Sequence, residues 1–174
     1  RLRSLKSGQE PWQLKDPAGT SQLLDLASND YLGLSRHPDV VAAATDAMAS
    51  DGVGAGGSRL ITGTRPRHLE LEAALGTWLN RDRVLLFPSG FQANIAALTA
   101  LSDRHTTVLV DRLIHHSLLA GIRTSGARLQ RFAHNDLQDL DQRLQRLKQA
   151  TTPSLVVTES LFSMEGTSPD LKGM

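Results

Sequence analysis

Leu85-Leu86-Phe87-Pro88-Ser89-Gly90-Phe91-Gln92-Ala93-Asn94 is the stretch that decides how this chain is read. An apolar run, Val84 to Phe87, stops at a Pro-Ser-Gly turn and passes into a pattern with Ile95, Leu98 and Leu101 on one helical face. A strand that turns sharply into a helix leaves the helix's first backbone N–H groups unpaired and pointing outward. Gly90 lets an oxyanion approach that backbone closely, and the helix dipole adds favourable positive potential. The turn is therefore a candidate phosphate cup. Many strand-to-helix turns carry Ser-Gly and bind nothing, so the turn alone leaves the ligand open.

Downstream of this stretch the chain alternates. The strand over 84–87 precedes a helix over 91–101, and a strand Thr107 to Val110 precedes a helix near Ser117 to Arg123. A strand Leu129 to Phe132 leads to a helix from Asp136 to Gln149 with Leu137, Leu140, Leu144 and Leu147 inward, and a strand Leu155 to Thr158 follows. Short apolar strands alternating with helices predict an α/β architecture, a mostly parallel sheet between helices. In such sheets ligands sit at the carboxyl ends of the strands. Ser89-Gly90, Asp111 to His115, His134-Asn135 and Glu159 to Ser163 all follow strands and are expected to share one rim.

Upstream, a hairpin is expected around Trp12-Gln13-Leu14 and Leu23 to Leu26, split by the turn signal Asp16-Pro17-Ala18-Gly19. Pro38 opens a helix with Val40, Val41, Ala44 and Met48 at helical spacing. A glycine loop runs from Asp51 to Gly57, and Pro66 stands near the start of a helix striped by Leu71, Leu75, Trp78 and Leu79. This gives an N-terminal segment and first helix over 1–50, followed by the core α/β region over 51–174.

Composition narrows the function classes. The 174 residues carry 19 basic and 18 acidic side chains, a formal net charge of +1, with no basic block. That balance argues against a nucleic-acid or membrane-surface role. With no cysteine there is no disulfide framework, zinc knuckle or thiol nucleophile. No apolar run is long enough to span a bilayer and the start of the chain lacks a signal-peptide layout, so a cytoplasmic protein is expected. Both ends read as cut, because the chain starts at Arg1 and stops at Met174 without an evident final element.

Other motifs carry a bland reading beside the chemical one. Gly52-Val53-Gly54-Ala55-Gly56-Gly57 fits the spacing of a dinucleotide fingerprint, but a helix precedes it and no acidic residue ends a following strand at the right distance. A loop approaching a ligand or a neighbouring subunit suits it better. His115-His116 points in two directions with no cysteine or carboxylate pair at matching spacing, so no metal site is expected. A single imidazole at a strand's end lies flat against an aromatic ring, acts as acid or base, or merely caps a helix. Ser163 is placed to donate to a ligand oxygen or to satisfy local backbone, and no Gly-x-Ser-x-Gly elbow surrounds it.

Five motifs in order resemble the α-oxoamine synthases, pyridoxal-phosphate enzymes of the aspartate-aminotransferase-like fold (fold type I). They are Ser28-Asn29-Asp30-Tyr31-Leu32-Gly33-Leu34, Gly52 to Arg59 with Thr62-Gly63-Thr64, Ser89 to Asn94, Asp111-Arg112-Leu113-Ile114-His115, and Val157-Thr158-Glu159 leading to Phe162-Ser163-Met164. The resemblance covers nearly all of the chain and implies the N-terminal part of the cofactor-binding large domain. It implies that Gly90 and Phe91 offer backbone amides to the phosphate of pyridoxal 5'-phosphate. His115 would stack on the pyridine ring near substrate, as the one catalytic group here, and Ser163 would hydrogen-bond near the ring's phenolic oxygen. Asn29 would lie near the substrate carboxylate or acyl group, and Arg3 would contact the acyl substrate.

Arg131-Phe132-Ala133-His134-Asn135-Asp136 looks most like the biotin-pathway branch of the family. The implied reaction is a decarboxylating condensation of L-alanine with a pimeloyl thioester, on coenzyme A or a carrier protein, by a homodimer. 5-Aminolevulinate synthase, 2-amino-3-ketobutyrate ligase and serine palmitoyltransferase share most of these motifs, so the branch stays open. Such chemistry needs a lysine for the covalent anchor and an acid for the ring nitrogen. None of Lys6, Lys15, Lys148 and Lys172 stands in the family's Ser/Thr-x-x-Lys setting, and its Asp-x-Ala-His motif is missing. The expectation is the N-terminal part of a synthase that does not turn over alone, or a truncated, non-catalytic subunit.

Overall fold

A computed structural model of the chain describes residues 6–7, 13–15, 22–149 and 151–174. Arg3, Trp12 and the turn at 16–19 lie outside the described residues. The chain divides into two compact units, residues 1–69 and 70–174.

The first unit contains a three-stranded antiparallel sheet of β1 (Lys6–Ser7), β2 (Gln13–Lys15) and β3 (Gln22–Leu24), in that order. The expected hairpin is the β2–β3 pair, with Gln13 opposite Leu24 and Lys15 opposite Gln22. β1 was not expected, since two residues carry no alternation to detect. A 3-10 turn, Leu34–Arg36, follows, and the Asp30 carboxylate accepts the Ser35 hydroxyl at 2.6 Å. That bond to Ser35 holds the Asp30 carboxyl below its ordinary value. Helix α1 spans Pro38–Asp51. Pro38 supplies the preset φ of a first helical position, and His37 Nδ1 caps the helix by accepting the Asp39 amide. Gly52, at φ 77°, ends it in a conformation that side chains resist. Helix α2, Pro66–Leu79, runs across the boundary between the units.

The second unit is built around a parallel sheet. Helix α3 (Gly90–Leu101), strand β4 (Thr107–Asp111), helix α4 (His116–Ser125), strand β5 (Arg128–Phe132), helix α5 (Leu137–Gln149) and strand β6 (Ser154–Val157) follow in sequence. The sheet order is β5-β4-β6, with both pairings parallel. β4 is central and buried along its whole length. Alternate side chains of a strand face opposite ways, and β4 uses both faces. Val108 and Val110 pack with Leu98, Ile114, Leu118, Ile122 and Phe162, beneath α3 and α4. Leu109 packs with Phe132, Leu140 and Leu147, beneath α5. Each such side chain contributes about 1.5–3 kcal/mol by leaving water.

Helix α4 crosses α3 closely because residue 121 is glycine. A Cβ there would stand 2.8 Å from the Leu98 Cβ and 3.1 Å from the Ile95 Cα. The two helices that present their N-termini to the sheet's rim are thus held against each other.

One expectation fails. Residues 84–87 are not a strand: the segment forms no sheet pairing among the described residues. An apolar run becomes a strand only when a neighbour takes up its backbone groups. Here the Leu86 amide donates instead to the Glu72 carboxylate at 3.0 Å, and Leu85 is 69% exposed.

Candidate active site

The site grows from two helix N-termini. Ser89 caps α3 in extended conformation, with its hydroxyl accepting the Gln92 amide at 3.3 Å and its carbonyl accepting the Ala93 amide at 3.1 Å. The amides of Gly90 and Phe91 come before the first residue that an intrahelical carbonyl can satisfy, so they are left for an outside acceptor. A Cβ on Gly90 would meet nothing within 4 Å, so the backbone there opens onto free space.

His115 stands at the N-terminus of α4 and caps it. Its Nδ1 accepts the Ser117 amide at 3.2 Å, and its own amide donates to the Glu159 carboxylate. His115 thus caps the helix and also lines a cleft. Asn94 of α3 reaches across to donate to the Ser117 hydroxyl at 2.9 Å.

These groups surround a cleft of about 550 Å³ lined by Gly90, Phe91, Asn94, His115, Leu118, Thr158, Glu159, Ser160, Leu161 and Ser163. The structure thereby brings together four of the expected residues: Gly90, Phe91, His115 and Ser163. Asn29 belongs to the first unit and is not among the cleft's lining, and Arg3 lies outside the described residues. No lysine lines the cleft among the described residues.

The rim expected from the strand ends forms in two parts. His134 and Asn135 do not line the cleft; they serve Asp111, which is fully buried. The Asp111 carboxylate accepts His134 Nδ1 at 2.9 Å, the Leu113 amide at 2.9 Å and the Asn135 amide at 2.8 Å. His134 Nε2 then meets the Thr167 hydroxyl at 2.8 Å, and its ring stands edge-on to Phe162 at 4.6 Å. This network ties the ends of β4 and β5 to the loop that carries Ser163.

Thr158 was not singled out from the sequence as a site residue. Its hydroxyl is buried in the cleft wall and has no hydrogen-bond partner among the described residues. A buried unpaired hydroxyl is costly unless something else completes it. Together with the free amides of α3 and the open space at Gly90, it fits a cleft built for a polar, anionic ligand.

The comparisons with known proteins agree with this architecture. The chain belongs to the family described as aminotransferase class I and II, whose model matches residues 21–174. Its structural neighbours are pyridoxal-phosphate enzymes of fold type I, so the expected fold class holds. The 8-amino-7-oxononanoate synthase of Stutzerimonas stutzeri (strain A1501) is 47% identical over 153 residues, which cover 88% of this chain and 38% of that relative. A serine palmitoyltransferase from S. paucimobilis, solved with bound PLP and myriocin, superposes with a TM-score of 0.90 at 32% identity, over 98% of this chain and 43% of that one. An 8-amino-7-oxononanoate synthase from Francisella tularensis superposes at 0.65 with 27% identity, over 84% of this chain and 39% of that one. The chain thus spans well under half the length of the proteins it matches. Among the described residues no helix is long and apolar enough to cross a membrane.

Proposed function

We propose that this chain forms the phosphate- and ring-binding part of a pyridoxal-phosphate-dependent C-acyltransferase, an 8-amino-7-oxononanoate synthase. The whole protein would condense L-alanine with a pimeloyl thioester, on coenzyme A or a carrier protein, releasing CO2 and the carrier thiol in biotin biosynthesis. The observation that carries this reading is the cleft that joins the α3 N-terminus, His115 and the unpaired Thr158 hydroxyl, in a chain 47% identical to a synthase of that name.

In this reading the amides of Gly90 and Phe91 hold the phosphate, with the α3 dipole behind them. His115 lies against the ring as the catalytic group, and Ser163 donates near the phenolic oxygen. Asn29 is assigned to the substrate carboxylate or acyl group, and Arg3 to the acyl substrate. Bound pyridoxal 5'-phosphate supplies an electron sink for charge developing at the amino acid's Cα. Phe91, Leu118 and Leu161 supply the apolar part of the cleft's lining. The large domain's N-terminal part is assigned to residues 51–174, after a segment and helix over 1–50.

A homodimer is assigned to the whole protein from the resemblance to the family. The covalent anchor and the acid for the ring nitrogen are assigned to sequence beyond this chain. Mixed with pyridoxal phosphate, the 174-residue chain is then expected to give no Schiff-base absorption and no borohydride-trapped adduct at a specific lysine. A stoichiometric adduct would overturn that assignment. An in-frame Asp-x-Ala-His followed by Ser/Thr-x-x-Lys downstream of Met174 would support it.

The structural match to serine palmitoyltransferase favours a second reading within the same chemistry. Supplying the whole protein with L-alanine or L-serine, each with pimeloyl and palmitoyl thioesters, separates the two. Turnover confined to L-alanine with the pimeloyl donor supports the first.

A further inference from the structure

His115 is under a constraint that a stacking role does not require. As the cap of α4, its Nδ1 accepts the backbone N–H of Ser117 at 3.2 Å. A backbone amide can only donate, so Nδ1 carries a lone pair and no proton. The Ser117 hydroxyl lies 2.6 Å from the same nitrogen. With that nitrogen an acceptor, the hydroxyl is the donor. Asn94 Nδ2 donates to the Ser117 oxygen at 2.9 Å, so the hydroxyl proton points away from Asn94 and toward the imidazole. Ser117 is fully buried, which closes this hydroxyl off from competing solvent. The close crossing of α3 and α4 at Gly121 brings Asn94 within reach.

We propose that Asn94 and Ser117 are positioning residues that lock the neutral imidazole of His115 as its Nε2–H tautomer. The ring then presents a hydrogen-bond donor at Nε2, so what it meets there is an acceptor oxygen of the ligand. A neutral imidazole held this way has its only lone pair occupied by Ser117 and takes no proton from substrate through Nε2. The consequence for the ligand rests on the cofactor reading of the cleft; the tautomer itself does not.

The test is a two-bond 1H–15N correlation spectrum of the 15N-histidine-labelled chain, recorded without ligand and with the ring neutral. A pyridine-like Nδ1 and a pyrrole-like Nε2 are expected for His115. A pyrrole-like Nδ1, or two averaged nitrogens, overturns the proposal. Ser117→Ala and Asn94→Leu keep the Ser117 backbone donor and lose only the side-chain support, so each is expected to move both nitrogens part of the way toward averaged shifts, and Ser117→Thr to restore them. Backbone amide spectra confirm that each variant stays folded. If both variants fold and leave the His115 nitrogens unchanged, the role of the two residues is refuted. Should either variant unfold, the unsubstituted chain still decides the tautomer. Adding pyridoxal phosphate afterwards separates the two readings, because absent shifts at Gly90 and Phe91 would sink the cofactor site while the tautomer result stands.

Discussion

Residues 84–87 and residues 107–111 are two short apolar runs, each followed by a turn into a helix that reaches the same cleft. The second is β4, bonded on both edges and buried throughout. The first forms no sheet pairing among the described residues and leaves Leu85 69% and Phe87 37% exposed. Both nevertheless deliver a helix N-terminus, Gly90 in one case and His115 in the other. An apolar run therefore specifies direction and a helix entry point, while the presence of paired neighbours decides whether it becomes a strand. One wall of the cleft rests on a packed sheet, and the other on a helix cap and the bond from Leu86 to Glu72.

Substitutions can break or sharpen this contrast. The largest effect is expected at the end of β4, where Asp111→Ala strips the acceptor from His134 and from two amides. Leaving buried partners uncompensated should cost about 3 kcal/mol in chemical denaturation. A cost below about 1 kcal/mol would show that the network is not what holds the rim. Of the same order, Leu109→Ala on the same strand should lower stability by about 2–5 kcal/mol, because Leu109 packs on three buried side chains. Leu85→Ala should fall within about 0.5 kcal/mol of the unsubstituted chain, as an exposed site does. Equal costs at the two positions would erase the comparison.

Smaller in effect than Asp111→Ala or Leu109→Ala, Gly121→Ala pushes a methyl group against α3. A loss of about 1–3 kcal/mol is expected, with amide shifts spreading to Gly90 and His115; a silent variant would mean that the crossing does not position the site. The smallest effect concerns α5. Asp139 accepts Arg143 Nε at 2.7 Å and the Ala133 amide at 2.8 Å. The Arg143 bond first, and the amide second, hold its carboxyl below the ordinary value of 3.8. A carboxylate lowered in the folded state stabilises above its ordinary value, and that contribution fades as pH falls through the lowered one. Melting of the chain should therefore fall more steeply below the ordinary carboxylate range than melting of Asp139→Asn.

Much of this was legible in the sequence. The strands over 107–110, 129–132 and 155–158 and the helices around them are marked by short strand-like segments, several of them continuous apolar runs, alternating with helical spacing. Leu140 and Leu147 turn inward on α5 as their spacing implied. Val40, Val41 and Met48 share a helix as expected, yet stand about half exposed in α1. Spacing finds the apolar face, not the surface that covers it. Long-range polar partners were the least visible. Nothing local connects Asp111 to His134 or Asn94 to Ser117, since each pair is 23 residues apart in sequence and meets only through packing. Thr158 carried no signal beyond its place in a motif, because an unpaired hydroxyl is a property of the fold around it.

The central claim is that the paired N-termini of α3 and α4 form a cup for pyridoxal 5'-phosphate. Its most direct test is a titration of the 15N-labelled chain with pyridoxal 5'-phosphate, followed by amide and histidine-ring shifts. Saturable shifts at Gly90, Phe91, His115, Thr158 and Ser163 are expected, with Ser89→Ala weakening them. Shifts that cluster elsewhere, or a titration that leaves Gly90 and Phe91 unmoved, would contradict the account.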